Sequence, residues 1–345
     1  MLVVGIETTC DETGVAVLQI KSKRFLLKSN VVASQVKIHK KYGGVFPTLA
    51  KREHKKNLPI VFKKALKEAN IREKEIDLIS VAVGPGLEPC LWVGVNFAKD
   101  VAKKLNIPLI AVNHLEAHIL LNFLYIKNFD IFPAIALVVA GGHTQLFLME
   151  TIGKYTLLGE TRDDSAGECF DKVARLLGLG YPGGPAIEKL ARFKVKNAKL
   201  KITLPRPMIK QNNYDFSFAG LKTAVLYDFL KRPENVRKSK EYKILVAKEV
   251  QQAVIDVLIS KMLRAQDEFG AASIILGGGV VANDELKKQC IQQAKLRAPE
   301  CKVFFPKKEL CTDNGLMIAM AGYFHKDKST RDYDTIKVDA NLRVC

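Results

Sequence analysis

Short apolar runs alternate with longer segments of helical period along this chain, and polar turns separate them. Residues 2–20 read as strand, polar turn, strand, with Glu7, Thr8, Thr9, Asp11, Glu12, Thr13 and Gly14 in the turn. A third strand is predicted over 25–34, a turn over 42–47 and a helix from about Leu49 through Lys67. The apolar run 76–83 is a buried strand entering Gly84-Pro85-Gly86-Leu87; a helix over about 92–104 and a strand over 107–112 follow. The pattern then restarts. Residues 134–150 are again strand, small turn (Ala140-Gly141-Gly142-His143-Thr144) and strand. A loop and helix over 161–179, a helix from Ala186, and a basic, less periodic insertion over 194–243 come next. Helix 245–269, strand 273–276, the glycine turn 277–283 leading into a helix, and helix 316–324 complete the reading.

Two hairpin starts, each followed by alternating strands and helices, predict a duplicated α/β protein with lobes 1–131 and 132–345 and a cleft between them. The C-terminal helix 316–324 is expected to pack back at that cleft. Turns rich in hydroxyls or glycines bring backbone N–H groups to phosphates, so each hairpin is a candidate nucleotide contact.

The stretch Val112-Asn113-His114-Leu115-Glu116-Ala117-His118 joins a strand to an apolar helix. Asn113 is a good N-cap, and Glu116 three residues later suggests a capping box. His114 and His118 then share one helix face, and both rings can reach one cation. The dipole at that helix end disfavours imidazolium, leaving the ligating form. A packed core pair is the competing reading of the same spacing. The zinc-protease pattern H-E-x-x-H does not fit, because the glutamate stands two residues after the first histidine. Asp313, just before helix 316–324, is either a helix cap or a carboxylate ligand, and capping is the simpler reading.

Composition narrows the class. The 345 residues are 48% hydrophobic, ample for a large core. No apolar run reaches the roughly 18 residues that a membrane helix needs. The chain enters a strand pattern at once, without a leader segment, so the cytoplasm is the expected location. Cysteines 10, 90, 169, 290, 301, 311 and 345 are scattered, with no C-x-x-C pair, as in a reducing compartment. The net charge of +18, with basic clusters at 51–56, 192–201 and 231–243, points to a polyanionic partner such as nucleic acid.

Taken together, GIETTCDET, GGVFPTLAKREH, VGPG, VNHLEAH, VAGGHTQL, DDSAGECFDKVARLLGLGYPGGP, FSFAGLKTA, LGGGVVAN and CTDNG resemble the tRNA N6-adenosine threonylcarbamoyltransferases, the bacterial TsaD (Gcp/Kae/Qri) group. The resemblance spans nearly the whole chain. It implies an actin-like ATPase (ASKHA) fold of two RNase H-like lobes. It implies one divalent metal, iron(II) before zinc, on His114, His118 and Asp313. It implies that threonylcarbamoyl-AMP meets Val138, Val139, Ala140, Gly141, Gly142, Asp171, Gly184, Glu188 and Asn283. Ala140 stands where many members have Ser, and Glu188 where Asp is common. The acceptor is expected to be tRNA, with a TsaB paralogue and a TsaE ATPase as partners and no membrane. Asp11 or Glu12 is the candidate base for the acceptor amine. A small-molecule kinase or a nucleotide-dependent scaffold on the same fold needs no histidine pair, and a metallopeptidase needs a glutamate beside the metal.

Overall fold

The computed structural model describes residues 1–22, 24–126, 130–195 and 200–344. Its strands are β1 (Leu2–Glu7), β2 (Glu12–Lys21), β3 (Arg24–Ser34), β4 (Leu78–Gly84), β5 (Leu109–Asn113), β6 (Ala134–Val139), β7 (Thr144–Thr151), β8 (Lys154–Glu160), β9 (Ser273–Gly277) and β10 (Lys302–Phe304). Its α-helices are α1 (Val36–His39), α2 (Pro47–Ala69), α3 (Glu88–Leu105), α4 (His114–Leu120), α5 (Ala166–Leu176), α6 (Gly183–Ala191), α7 (Ala219–Lys231), α8 (Glu234–Arg237), α9 (Lys240–Glu268), α10 (Asp284–Arg297) and α11 (Gly315–Phe324).

The chain forms two compact units, Met1–Lys127 with Thr312–Cys345, and Asn128–Cys311. Residues 312–345 therefore join the first unit, not the C-terminal lobe 132–345 expected from the pattern. The cause is the intimate packing of α11 on the first sheet. A Cβ at Gly5 would fall 2.1 Å from the Gly315 carbonyl oxygen, so strand and helix approach at backbone distance.

In the first unit the sheet order is β3-β2-β1-β4-β5. β1 and β2 form an antiparallel hairpin, Glu7 opposite Gly14, and β1 runs parallel to β4. The strands β1 and β4 are apolar and almost wholly buried, as a central strand covered on both faces must be. Prolines at the first turns of α2 and α3 start those helices, and Asn70 and Asn106 end them in the left-handed conformation. In the second unit the order is β10-β9-β6-β7-β8, with β6–β7 and β7–β8 antiparallel and β6–β9 and β9–β10 parallel. The core there gathers on α5, α9 and β6, with Phe216, Phe218 and Tyr242 fully buried. The insertion expected over 194–243 holds α7, α8 and the first turn of α9, which starts at Lys240, not 245. Part of the basic cluster at 192–201, residues 196–199, lies outside the described residues. Among the described residues no helix is long and apolar enough to cross a membrane.

Candidate metal centre and glycine-rich loops

The centre is built at the end of β5. Asn113 caps α4: its Oδ1 accepts from the backbone N–H of Leu115 (2.8 Å) and Glu116 (3.1 Å). His114 and His118 follow on one face, ring centroids 4.8 Å apart and nearly perpendicular. Asp313 arrives from just before α11. Its Oδ1 lies 3.6 Å from His114 Nε2 and 3.2 Å from His118 Nε2. One ligand atom from each of the three residues lies within 4.8 Å of the others.

Two local readings are corrected. Asp313 does not cap α11; Asn314 does, accepting from Leu316 N–H (3.0 Å) and Met317 N–H (3.3 Å). The side chain one residue further into the turn meets the first free N–H groups, and Asp313 is left facing the histidines. Glu116 forms no capping box. Its Oε1 instead lies 2.8 Å from Nε2 of His325, the residue that ends α11. A largely buried imidazole attracts that carboxylate more strongly than an N-cap amide does.

A carboxylate that spacing could not reveal lies behind His114. Glu7 is fully buried in β1, and its Oε2 is 2.9 Å from His114 Nδ1, with Thr9 Oγ1 at 3.2 Å. Glu7 Oε1 also accepts from Thr9 N–H. This bond orients the imidazole and points Nε2 towards Asp313, as a carboxylate behind a metal-bound histidine does. Burial alone would lower the proton affinity of His114; the Glu7 and Asp313 carboxylates outweigh it and push the pKa up to about 9. These carboxylates act against the helix dipole, which disfavours the imidazolium. Two nearby full charges exceed the fractional charge of a short helix. His118 is 1% exposed, and neither of its ring nitrogens makes a hydrogen bond. A buried imidazole with two orphaned nitrogens, facing a carboxylate and a second imidazole, fits a divalent cation.

The β1–β2 turn adds acids. Asp11 is buried, and its Oδ2 has no hydrogen-bond partner. Glu12 accepts from Ser34 Oγ (3.1 Å). Its pKa is raised well above the usual carboxylate value, first by burial, then by Asp11 and Asp313. Burial likewise raises Cys10, so its sulfur stays a thiol.

In the second unit the β6–β7 turn carries no acid. Val138 and Val139 are buried in β6, and Ala140 N–H donates to His143 O (2.8 Å). A Cβ at Gly141, Gly142 or Gly184 would meet nothing within 4 Å. The predicted side chains have internal duties. Asp171 accepts from Gly183 N–H at the start of α6 (2.6 Å). Glu188 accepts from Asp284 N–H and from Arg192. Asn283 caps α10 through Oδ1 and donates its Nδ2 to Gln251.

Solved structures of low sequence identity share this fold. HypF of T. kodakarensis superposes with a TM-score of 0.57 at 18% identity, over 97% of this chain and 49% of that one. The dehydratase component A of Acidaminococcus fermentans, (R)-2-hydroxyglutaryl-CoA dehydratase, gives 0.55 at 12%, over 95% and 100%. The class is thus an α/β protein of the actin-like ATPase fold with a two-histidine, one-carboxylate centre. The sequence profile of TsaD, tRNA N6-adenosine threonylcarbamoyltransferase, matches residues 27–320. Proteins of that name from Thermosipho africanus and Thermotoga neapolitana are each 46% identical, over 100% of this chain and of their own. The chain belongs to the TsaD family, a family of transferases.

Proposed function

We propose that this chain transfers the threonylcarbamoyl group of threonylcarbamoyl-AMP to N6 of the adenosine next to the anticodon, position 37, in tRNAs that read codons beginning with A. The observation that carries the reading is the His114–His118–Asp313 set, with both histidines buried, in a chain of this family. A divalent ion on these residues, iron(II) before zinc, supplies Lewis acidity towards an oxygen of the donor.

The residues then have separate tasks. Glu7 holds His114 in one orientation through Nδ1. The open backbone of residues 138–142 and of Gly184 takes the adenylate, with Asp171, Glu188 and Asn283 shaping the loops around it. The exocyclic amine is a poor nucleophile, because its lone pair is delocalised into the ring. Its N6 attacks the carbamoyl carbon; an N–C bond forms, the C–O bond to phosphate breaks, and AMP leaves with that electron pair. Asp11 is the preferred base for the released proton, since its Oδ2 is buried and unpartnered, while Glu12 Oε1 already accepts from Ser34 Oγ.

TsaB and TsaE are the expected partners, the basic surface takes tRNA phosphates, and the cytoplasm is the expected compartment. The test supplies threonylcarbamoyl-AMP and unmodified tRNA, with and without TsaB and TsaE, and reads the modified nucleoside by mass spectrometry. Absence of product in every combination overturns the reading.

A further inference from the structure

The segment between β3 and the body of α2 has no part in the chemistry above. Within it, Tyr42 and Phe46 are 63% and 54% exposed, yet their rings stack on each other, centroids 5.9 Å apart and 25° between planes. Each ring leaves π-surface in water. Lys37, Lys40, Lys41, Lys51, Arg52, Lys55 and Lys56 are also exposed, and none makes an ion pair among the described residues. Glu53 is the only carboxylate between residues 37 and 56. Exposed aromatic faces among uncompensated cations are the makings of a surface for unpaired nucleotides, whose bases stack and whose phosphates seek charge. A protein partner that buried two rings here would also have to desolvate these cations, which favours the polyanion.

The segment is held, and held to the turn that carries Asp11. His39 is fully buried; its Nδ1 accepts from Phe46 N–H (3.3 Å), so its Nε2–H donates to Gln35 Oε1 (3.0 Å). Gln35 N–H donates to the Asp11 carbonyl (2.9 Å), and its side-chain amide donates to the Ala50 carbonyl (3.3 Å). His54 closes the other end: Nε2–H donates to the Cys10 carbonyl (3.0 Å), and Nδ1 accepts from Thr13 Oγ1 (2.8 Å). Phe46 is thus two hydrogen-bonded side chains away from the Asp11 backbone.

We propose that Tyr42 and Phe46 form a stacking platform for an unpaired base of the acceptor RNA. Lys40 and Lys41 meet the adjoining phosphates, and the Gln35–His39 bonds set the platform in register with Asp11. The assignment rests on the tRNA reading above and adds to it the residues that grip the loop.

The test titrates the full chain into an unmodified anticodon stem-loop RNA carrying 2-aminopurine at successive loop positions, and measures Kd, KM for tRNA and Tm. At one loop position, stacking on the wild-type protein changes the probe fluorescence. Tyr42→Ala with Phe46→Ala raises Kd and KM about ten-fold and abolishes that signal. Tm and the salt dependence stay as in wild type. Phe46→Trp restores binding, whereas Phe46→Leu does not. Lys40→Ala with Lys41→Ala flattens the dependence of log Kd on log salt by about 0.7 per lost phosphate contact. A double aromatic variant with wild-type Kd, while the wild type still makes product, overturns the platform and leaves the transferase reading standing. Wild-type protein that neither binds the RNA nor makes product overturns both. A variant that keeps RNA affinity but loses activity only when TsaB is present also overturns the platform, and assigns the patch to a protein contact.

Discussion

The two sheets repeat one topology and divide the chemistry. In each, an antiparallel hairpin leads into a third antiparallel strand on one side, and two parallel strands lie on the other. Yet the first hairpin turn carries Thr9, Asp11 and, at its edges, Glu7 and Glu12, while the second carries Gly141 and Gly142 and no acid. After its last parallel strand, β5, the first unit turns into the histidine helix α4; the corresponding strand of the second unit, β10, has three residues and is followed by the single turn Lys308–Leu310. Repeated backbone therefore does not mean repeated function. One copy concentrates charge and imidazole; the other exposes backbone.

The largest effect that can break this division is on the metal. His118→Ala or Asp313→Ala is expected to empty the centre and to lower transfer by on the order of 10²–10³-fold. Elemental analysis of the purified variants checks the first, and nucleoside mass spectrometry the second. Asp171→Ala, in the second unit, should keep its metal. Loss of metal there would end the separation of roles.

Next comes the seam that brings Asp313 to the histidines. In Gly315→Ala the new Cβ would lie 2.4 Å from Ala16 N and 2.7 Å from Gly5 O, both backbone atoms that no rotamer change can move. The expected cost is about 3 kcal/mol, read from denaturant unfolding. A cost near zero would mean that α11 does not hold its place through this contact.

That seam also marks where the sequence stops being legible. The hairpins, the strand and helix order, the Asn113 cap and the His114–His118 face follow from local pattern and cap chemistry, which act over a few residues. Glu7 behind His114 and His325 beside Glu116 are joined across 107 and 209 residues. No periodicity encodes such pairs; they arise only once β1, β5 and α11 have packed. The edge strands β8 and β10 were equally invisible, because their residues are only partly buried and lack a strong apolar run. The return of residues 312–345 to the first unit had one local clue, the small residues Gly5, Gly14 and Gly315, whose meaning depends on what they face.

Glu7→Gln keeps the shape of the pocket and removes one charge. Metal affinity should weaken about 10–100-fold, measured by competition with a chelator. The metal-free protein carries a second signature. Because the His114 pKa is raised to about 9 in the fold, against about 6.5 unfolded, this group's stabilisation is complete below about pH 6.5 and is lost as pH rises to about 9. Loss of Glu7 should shrink that fall. Metal must displace the same proton, so affinity in wild type should rise over the same interval.

A smaller effect separates the two readings of Glu116. If it paired with the N-cap, His325→Ala would be silent. With Glu116 Oε1 at 2.8 Å from His325 Nε2, and both side chains largely buried, the substitution should cost about 1–2 kcal/mol. His325→Gln, which can still donate, should recover part of it. Thermal unfolding of the metal-free protein gives the comparison without interference from the ion.

The smallest expected change in stability lies in the second unit and tests its exposed backbone most directly. A Cβ at Gly142 meets nothing within 4 Å, and its φ is not in the left-handed range. Gly142→Ala should therefore leave unfolding within about 0.5 kcal/mol of wild type. Gly278→Ala is the contrasting case in the same unit. Its φ is +97°, and its new Cβ would lie 2.4 Å from the Val139 carbonyl oxygen, so it should unfold more readily for reasons unrelated to any ligand. A methyl group that costs nothing in the empty loop can weaken adenylate binding only by occupying space the ligand uses. If Gly142→Ala keeps both its stability and its affinity for threonylcarbamoyl-AMP, the β6–β7 turn is not where the adenylate rests, and the acid-free hairpin needs another explanation.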